Sequence, residues 1–113
     1  MVERRGRTVV LRAEVGGGNR RYLSAYLTAA GDLFVDGQDL GPVTAAESDD
    51  GEYDWRTIVA HNHLPELAAH LAGDPDVDIL DVLEQRFTGQ RSYDLERILS
   101  SGPVPTQRFT YGG

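Results

Sequence analysis

The sequence predicts an α+β domain: an antiparallel sheet of four strands, or five if the C-terminal tail joins it, followed by two to three helices packed on one face. Two observations carry this. Apolar residues alternate with a period of two along residues 1–60 and then recur at helical spacing along 61–102. The connections between the alternating segments are short and rich in Gly, Asn and Asp, which favours antiparallel neighbours over long crossovers. A chain of 113 residues is the size of one ordinary domain. Residues 1–113 are therefore expected to share a single core, with 1–60 mainly strand, 61–102 mainly helix and 103–113 an extended tail.

Thr8 to Val15 places Val9, Leu11, Ala13 and Val15 on one face and Arg12 and Glu14 on the other, as a half-buried strand does. Gly16-Gly17-Gly18-Asn19 supplies a turn. Tyr22 to Thr28 alternates again, with Leu23, Ala25 and Leu27 opposite Tyr22, Ser24, Tyr26 and Thr28. A third strand from Leu33 is expected to be short or kinked, because Asp36-Gly37 is a turn or bulge signal. Tyr53 to Ala60 forms the fourth, with Tyr53, Trp55, Thr57 and Val59 on one side.

Leu64, Leu67, Ala68 and Leu71 fall at i, i+3, i+4 and i+7, marking a helix that opens near Asn62, tolerates Pro65 in its first turn and closes at Gly73. Asp74-Pro75 reads as the cap and first position of a second helix carrying Ile79, Leu80, Leu83 and Phe87 and ended by Gly89. Ser92 reads as the cap of a third, carrying Leu95, Ile98 and Leu99 and stopping at Gly102-Pro103. Gln107 to Tyr111 is expected as an edge strand with Phe109 and Tyr111 on one face. Leu11, Leu23, Leu27, Val35, Trp55, Leu67, Leu71, Leu83 and Leu99 are the expected layer between sheet and helices.

The chain has no cysteine, so disulfides, thiolate metal sites and a thiol nucleophile are excluded. No signal-like apolar run opens the sequence and no stretch approaches the ~18 apolar residues of a membrane span, which makes cytoplasmic residence and no membrane contact the expectation. Residues 1–21 carry six arginines against Glu3 and Glu14, and 22–113 carry five against sixteen acids, giving the net charge of −7. A phosphate backbone repels such a surface, so nucleic acid is not the expected partner unless the arginines of the N-terminal segment form a patch of their own.

His61, His63 and His70 could gather at one end of the first helix, but His-Glu-x-x-His and cysteine pairs are missing and no metal or cofactor is expected. The acidic run Glu47, Asp49, Asp50, Glu52, Asp54 mimics a calcium loop around Gly51. Its register places Ala46 at the first ligand position and Thr57 where a bidentate glutamate belongs, so a solvated loop is the better reading. Nucleophile elbow, phosphate loop and dinucleotide fingerprint are all lacking, and no catalytic residue is assigned.

The stretch from Gly31-Asp32-Leu33 to Gly37-Gln38-Asp39-Leu40-Gly41, followed by Glu52-Tyr53-Asp54-Trp55, resembles a block of small uncharacterised bacterial α+β proteins. Pro103 to Tyr111 resembles their C-terminal end. The resemblance implies the strand-then-helix layout over most of the chain and carries over no catalytic or binding residue. Within the block, Gln38 and Asp39 either tie down local backbone amides of a tight turn or present Asp39 to a ligand or partner.

Two binding surfaces follow from the patterning. If helices cover the face of Val9, Leu11, Leu23, Leu27, Val35 and Trp55, then Val10, Arg12, Glu14, Tyr22, Ser24, Tyr26, Phe34, Arg56 and Ile58 lie on the other. Aromatics and arginines on adjacent strands suit the centre of a protein interface, so a partner or homodimer surface is expected around Tyr22, Tyr26 and Phe34, with Arg12 and Arg56 nearby. The alternative is that Phe109 and Tyr111 fold back to cover part of it. The second surface is the acidic loop, where Asp49 and Asp50 beside Trp55 would attract a basic partner. The functional expectation is a non-enzymatic interaction module, such as an inhibitor, an immunity-like protein or an adaptor, that binds a protein. The alternatives are a self-associating accessory protein, or a small-ligand-binding protein or enzyme with a pocket between sheet and helices.

Overall fold

The computed structural model describes residues 4–41 and 52–112, with side chains from 6 to 41 and 52 to 111. Gly17 and Gly18 sit at φ 59° and 80°, the double positive φ of a two-residue hairpin whose twist matches its flanking strands. They join β1 (Arg4–Gly16) to β2 (Asn19–Thr28). Gly31, at φ 90°, turns β2 into β3 (Leu33–Leu40), and the Thr28 hydroxyl closes the loop by accepting from the Asp32 amide at 3.2 Å. After β4 (Glu52–Val59) come a 3-10 turn at His61–His63 and three helices, α1 (Leu64–Ala72), α2 (Ile79–Arg86) and α3 (Arg91–Ser101). The tail returns as β5 (Gln107–Gly112), pairing with the far edge of β4.

The result is one antiparallel sheet in the order β1-β2-β3-β4-β5, a five-stranded α+β fold. Its core lies between sheet and helices: Val9, Leu11, Leu23, Ala25, Leu33, Val35, Trp55 and Val59 meet Leu67, Ala68, Ile79, Leu80, Leu83, Leu95 and Leu99. The expected core residues are all here, with Leu27 and Leu71 only partly buried at its margin.

Several local expectations are corrected. Asp36-Gly37 neither turns nor bulges; β3 runs through them in regular register with β2 and β4. The glycine is needed for space: a Cβ at Gly37 would lie 2.1 Å from Cε2 of Trp55, whose indole covers that backbone directly across the ladder. Asp74 caps no helix but accepts from the Asp76 amide at 2.9 Å in a local turn. The cap of α2 is Asp78, whose Oδ1 accepts from the amides of Leu80 and Asp81 at 2.9 and 3.2 Å. Ser92 lies inside the first turn of α3 rather than before it.

The largest correction concerns β1. Its pairing with β2 slips between Val10 and Arg12, so Leu11 and Arg12 together oppose Leu23 in a bulge. Up to the bulge odd-numbered residues face the helices; beyond it even-numbered ones do. Arg12 and Glu14 therefore point under α3, and Ala13 and Val15 point away, the reverse of what strict alternation predicts.

Candidate functional site

The cross-strand register orders the helix-free face into rows. One row reads Thr8, Tyr26, Phe34, Ile58, Gln107; the next Val10, Ser24, Asp36, Arg56, Phe109; the third Ala13, Tyr22, Gln38, Asp54, Tyr111. Tyr22, Tyr26, Phe34 and Arg56 thus share the face assigned to them from alternation. They do not share a role.

Tyr26 and Phe34 are only 3% and 8% exposed although no helix among the described residues covers them. They lie directly across from one another with ring centroids 5.7 Å apart, and the Arg56 guanidinium is 4.6 Å from the Phe34 ring. Arg56 is held there by both oxygens of Asp36, from Nε at 2.7 Å and Nη2 at 3.1 Å, and Nη2 also donates to the Tyr26 hydroxyl at 3.3 Å. The hydrogen bond to Asp36 raises the Arg56 pKa further above its ordinary value, so its charge is permanent. Tyr26 and Phe34 therefore form a buried floor of the face.

What the face does expose lies at its rims. Val10 (61%) and Val15 (70%) on β1, and Phe109 (46%) and Tyr111 (55%) on β5, are the exposed large hydrophobics among the described residues, and all four point away from the helices. Phe109 and Tyr111 do not fold back over the centre; β5 extends the sheet and sets them beside Arg56 and Asp54. Between the rims, Tyr22, Ser24, Asp36, Gln38, Asp54, Arg56 and Tyr111 enclose an open groove of about 360 Å³.

Arg12 is removed from this surface by the bulge. Its side chain is buried on the helix side, where Nη2 donates to Glu96 Oε1 at 2.7 Å and Nε to Ser92 Oγ at 2.9 Å, with the guanidinium 3.5 Å from the centre of the Tyr93 ring. The other Glu96 oxygen accepts from the Trp55 indole at 2.8 Å. Glu14 follows Arg12 under α3 and accepts from Tyr93 at 2.6 Å and Gln90 at 3.1 Å. Burial, reinforced by the bond to Glu14, holds the Tyr93 phenol above its usual pKa. The bulge serves the same docking: the Leu11 carbonyl receives the Gly89 amide at 2.8 Å. This network fastens α3 to the sheet, and no signal in β1 alone announces it.

Asp49 and Asp50 lie outside the described residues, as does Glu47. The histidines stay apart: His61 approaches Asp32 through its backbone amide at 2.8 Å and Nδ1 at 3.1 Å, His63 faces Glu66 at 3.3 Å, and His70 is exposed. Among the described residues no three His, Asp or Glu side chains gather to hold a metal ion. No helix among them is long and apolar enough to cross a membrane. Comparison of the chain with protein-family models, with curated proteins and with solved structures finds no match, so the geometry of the helix-free face stands as the guide to function.

Proposed function

We propose that the chain is a non-enzymatic interaction module that takes a basic protein partner on the helix-free face of its sheet. One observation carries the reading. Among the described residues, the four exposed large hydrophobics all fall on that one face, on its two edge strands, flanking a polar groove. Scattered exposed apolar residues need no explanation, but apolar rims collected on one side around hydrogen-bonding groups resemble a recognition surface. Charge supports a basic partner: the rows between the rims bring Asp36, Asp54 and Glu52 against Arg56 and Arg20, on a chain of net charge −7.

The exposed apolar residues of this face lie outward of Tyr26 and Phe34, and the reading takes them as the anchors. Truncating Tyr26 or Phe34 would unfold the floor, whereas Val10, Phe109 and Tyr111 can be changed at the surface. The test is affinity capture with the full chain and with a Val10→Ser, Phe109→Ser, Tyr111→Ser variant, both checked for equal unfolding midpoints. The reading expects one stoichiometric partner on the parent chain and its loss from the variant. Retention of that partner by the variant, or recovery of the chain alone with a doubled sedimentation mass, would overturn it, the second outcome in favour of a self-associating protein.

A further inference from the structure

Among the described residues, the groove on the helix-free face contains a carboxylate oxygen that has no hydrogen-bond partner. Arg56 spends its guanidinium on Asp36, engaging both carboxylate oxygens. The Gln38 amide, directly opposite Asp54, donates instead to Glu52 Oε2 at 3.2 Å. Asp54 has Oδ1 shut off from solvent with no hydrogen-bond partner, and it takes part in none of the ion pairs among the described residues. Asp54 is half-buried, and a carboxylate oxygen withdrawn from water ordinarily finds a hydrogen-bond donor, because the lost hydration must be replaced. Here nothing within the described chain replaces it, while the remainder of the side chain lines an open groove of about 360 Å³.

Deepening the reading above, on which it rests, we propose that this groove seats an arginine or lysine side chain of the protein partner, with Asp54 as its counter-ion. Three features select a cation over a neutral donor. The groove holds two carboxylates, Asp36 and Asp54, and one guanidinium, Arg56, which is already engaged. Two of its lining residues are tyrosines, Tyr22 and Tyr111, whose ring faces attract cations. A metal ion would need more carboxylate or imidazole ligands than gather here. A planar or tetrahedral nitrogen cation carried on an apolar stem fits a groove that has Asp54 within and Tyr111 and Phe109 along its rim, since the stem covers the ring edges while the head meets the Asp54 oxygen that faces the groove and offsets the charge of the whole carboxylate.

The probes are the capped tripeptides acetyl-Gly-Arg-Gly-amide and acetyl-Gly-Lys-Gly-amide, with acetyl-Gly-Gln-Gly-amide as the neutral control. They are titrated at low salt into the isotope-labelled full chain and followed by amide chemical shifts. The proposal expects saturable shifts centred on Gln38, Asp54, Trp55 and Tyr111 for the cationic peptides and at least ten-fold weaker binding of the neutral one. Asp54→Asn should weaken the cationic peptides at least five-fold without lowering the unfolding midpoint, because the carboxylate has no partner to lose. Equal binding of all three peptides, unchanged binding by Asp54→Asn, or an Asp54→Asn chain that is destabilised or unfolded overturns the assignment. Cation binding with no captured partner would sink the interaction-module reading and leave the groove standing; partner capture that survives Asp54→Asn would do the reverse.

Discussion

Arg12→Met is the change that most directly tests the corrected face of β1. If Arg12 belonged to the partner surface, truncation would affect association and leave folding alone. The structure places it instead in the interior, where it makes a charge-assisted bond to Glu96 at 2.7 Å, a bond to Ser92 at 2.9 Å and a stacked contact with Tyr93 at 3.5 Å. Breaking a fully buried pair by removing one partner costs about 3–5 kcal/mol, chiefly through the charge left behind. Glu96 keeps 22% of its side chain exposed and retains the Trp55 indole, so its stranded charge is partly relieved and the lower end applies. Methionine preserves the apolar stem, which leaves about 3 kcal/mol as the expected loss, a large share of the ~5–15 kcal/mol of a domain this size. Urea unfolding followed by the single tryptophan, itself bonded to Glu96, is the assay. Adding Glu96→Leu should recover part of the loss, since the second change removes the unpaired charge. A midpoint shift equivalent to less than about 1 kcal/mol for Arg12→Met, the scale of an exposed ion pair, would refute the burial argument.

Two further outcomes follow from the same geometry. Gly37→Ala forces the buried Trp55 ring from its seat and should cost about 1–3 kcal/mol for overpacking, with a further loss where the indole leaves Glu96; unchanged tryptophan emission and an unchanged midpoint would contradict it. Asp32 is held below its ordinary pKa first by the His61 amide and then by the His61 ring. A carboxylate with a depressed folded pKa contributes stability above its unfolded value near ~4 and loses it as pH falls through the folded value. Asp32→Asn should therefore flatten the fall in stability below about pH 4, by less than ~1 kcal/mol at this partly exposed site; parallel pH profiles for the two proteins would count against the contact.

The strands are legible because one face of the sheet packs under the helices and the other does not, so Leu23, Ala25, Val35, Trp55 and Val59 announce themselves by alternation. Gly73 and Gly102, both at positive φ after a helical stripe, made two helix ends equally readable. The bulge was not legible, since the doubling of Leu11 and Arg12 is fixed by their pairing with Leu23 and by bonds to Gly89, Ser92 and Glu96 far along the chain. For the same reason alternation alone puts Arg12 on the wrong face. Alternation gives Tyr26 and Phe34 the right face but leaves open the register that sets them directly across from one another beside Arg56. Asp54 passed as one more acid in a charged run; its position in the groove follows from Gln38 on one side and Tyr111 on the other, and the second neighbour exists only because β5 joins β4.

That last pairing also sets an order on how the sheet is assembled. β1 and β2 meet across a two-residue turn, whereas β5 reaches β4 only after residues 60–106 have been laid down. Loop closure rising as (3/2)RT ln n makes the last junction cost about 3 kcal/mol more entropy than the first before any helix has formed. During synthesis the first four strands can zip together while the final one is still unmade, leaving the outer edge of β4 as a bare row of amides and carbonyls. The charges along that strand, Glu52, Asp54 and Arg56, then guard it against a neighbouring nascent chain during the interval in which it is most adhesive. One of those guards, Asp54, is the same carboxylate that has no counter-ion among the described residues of the finished fold.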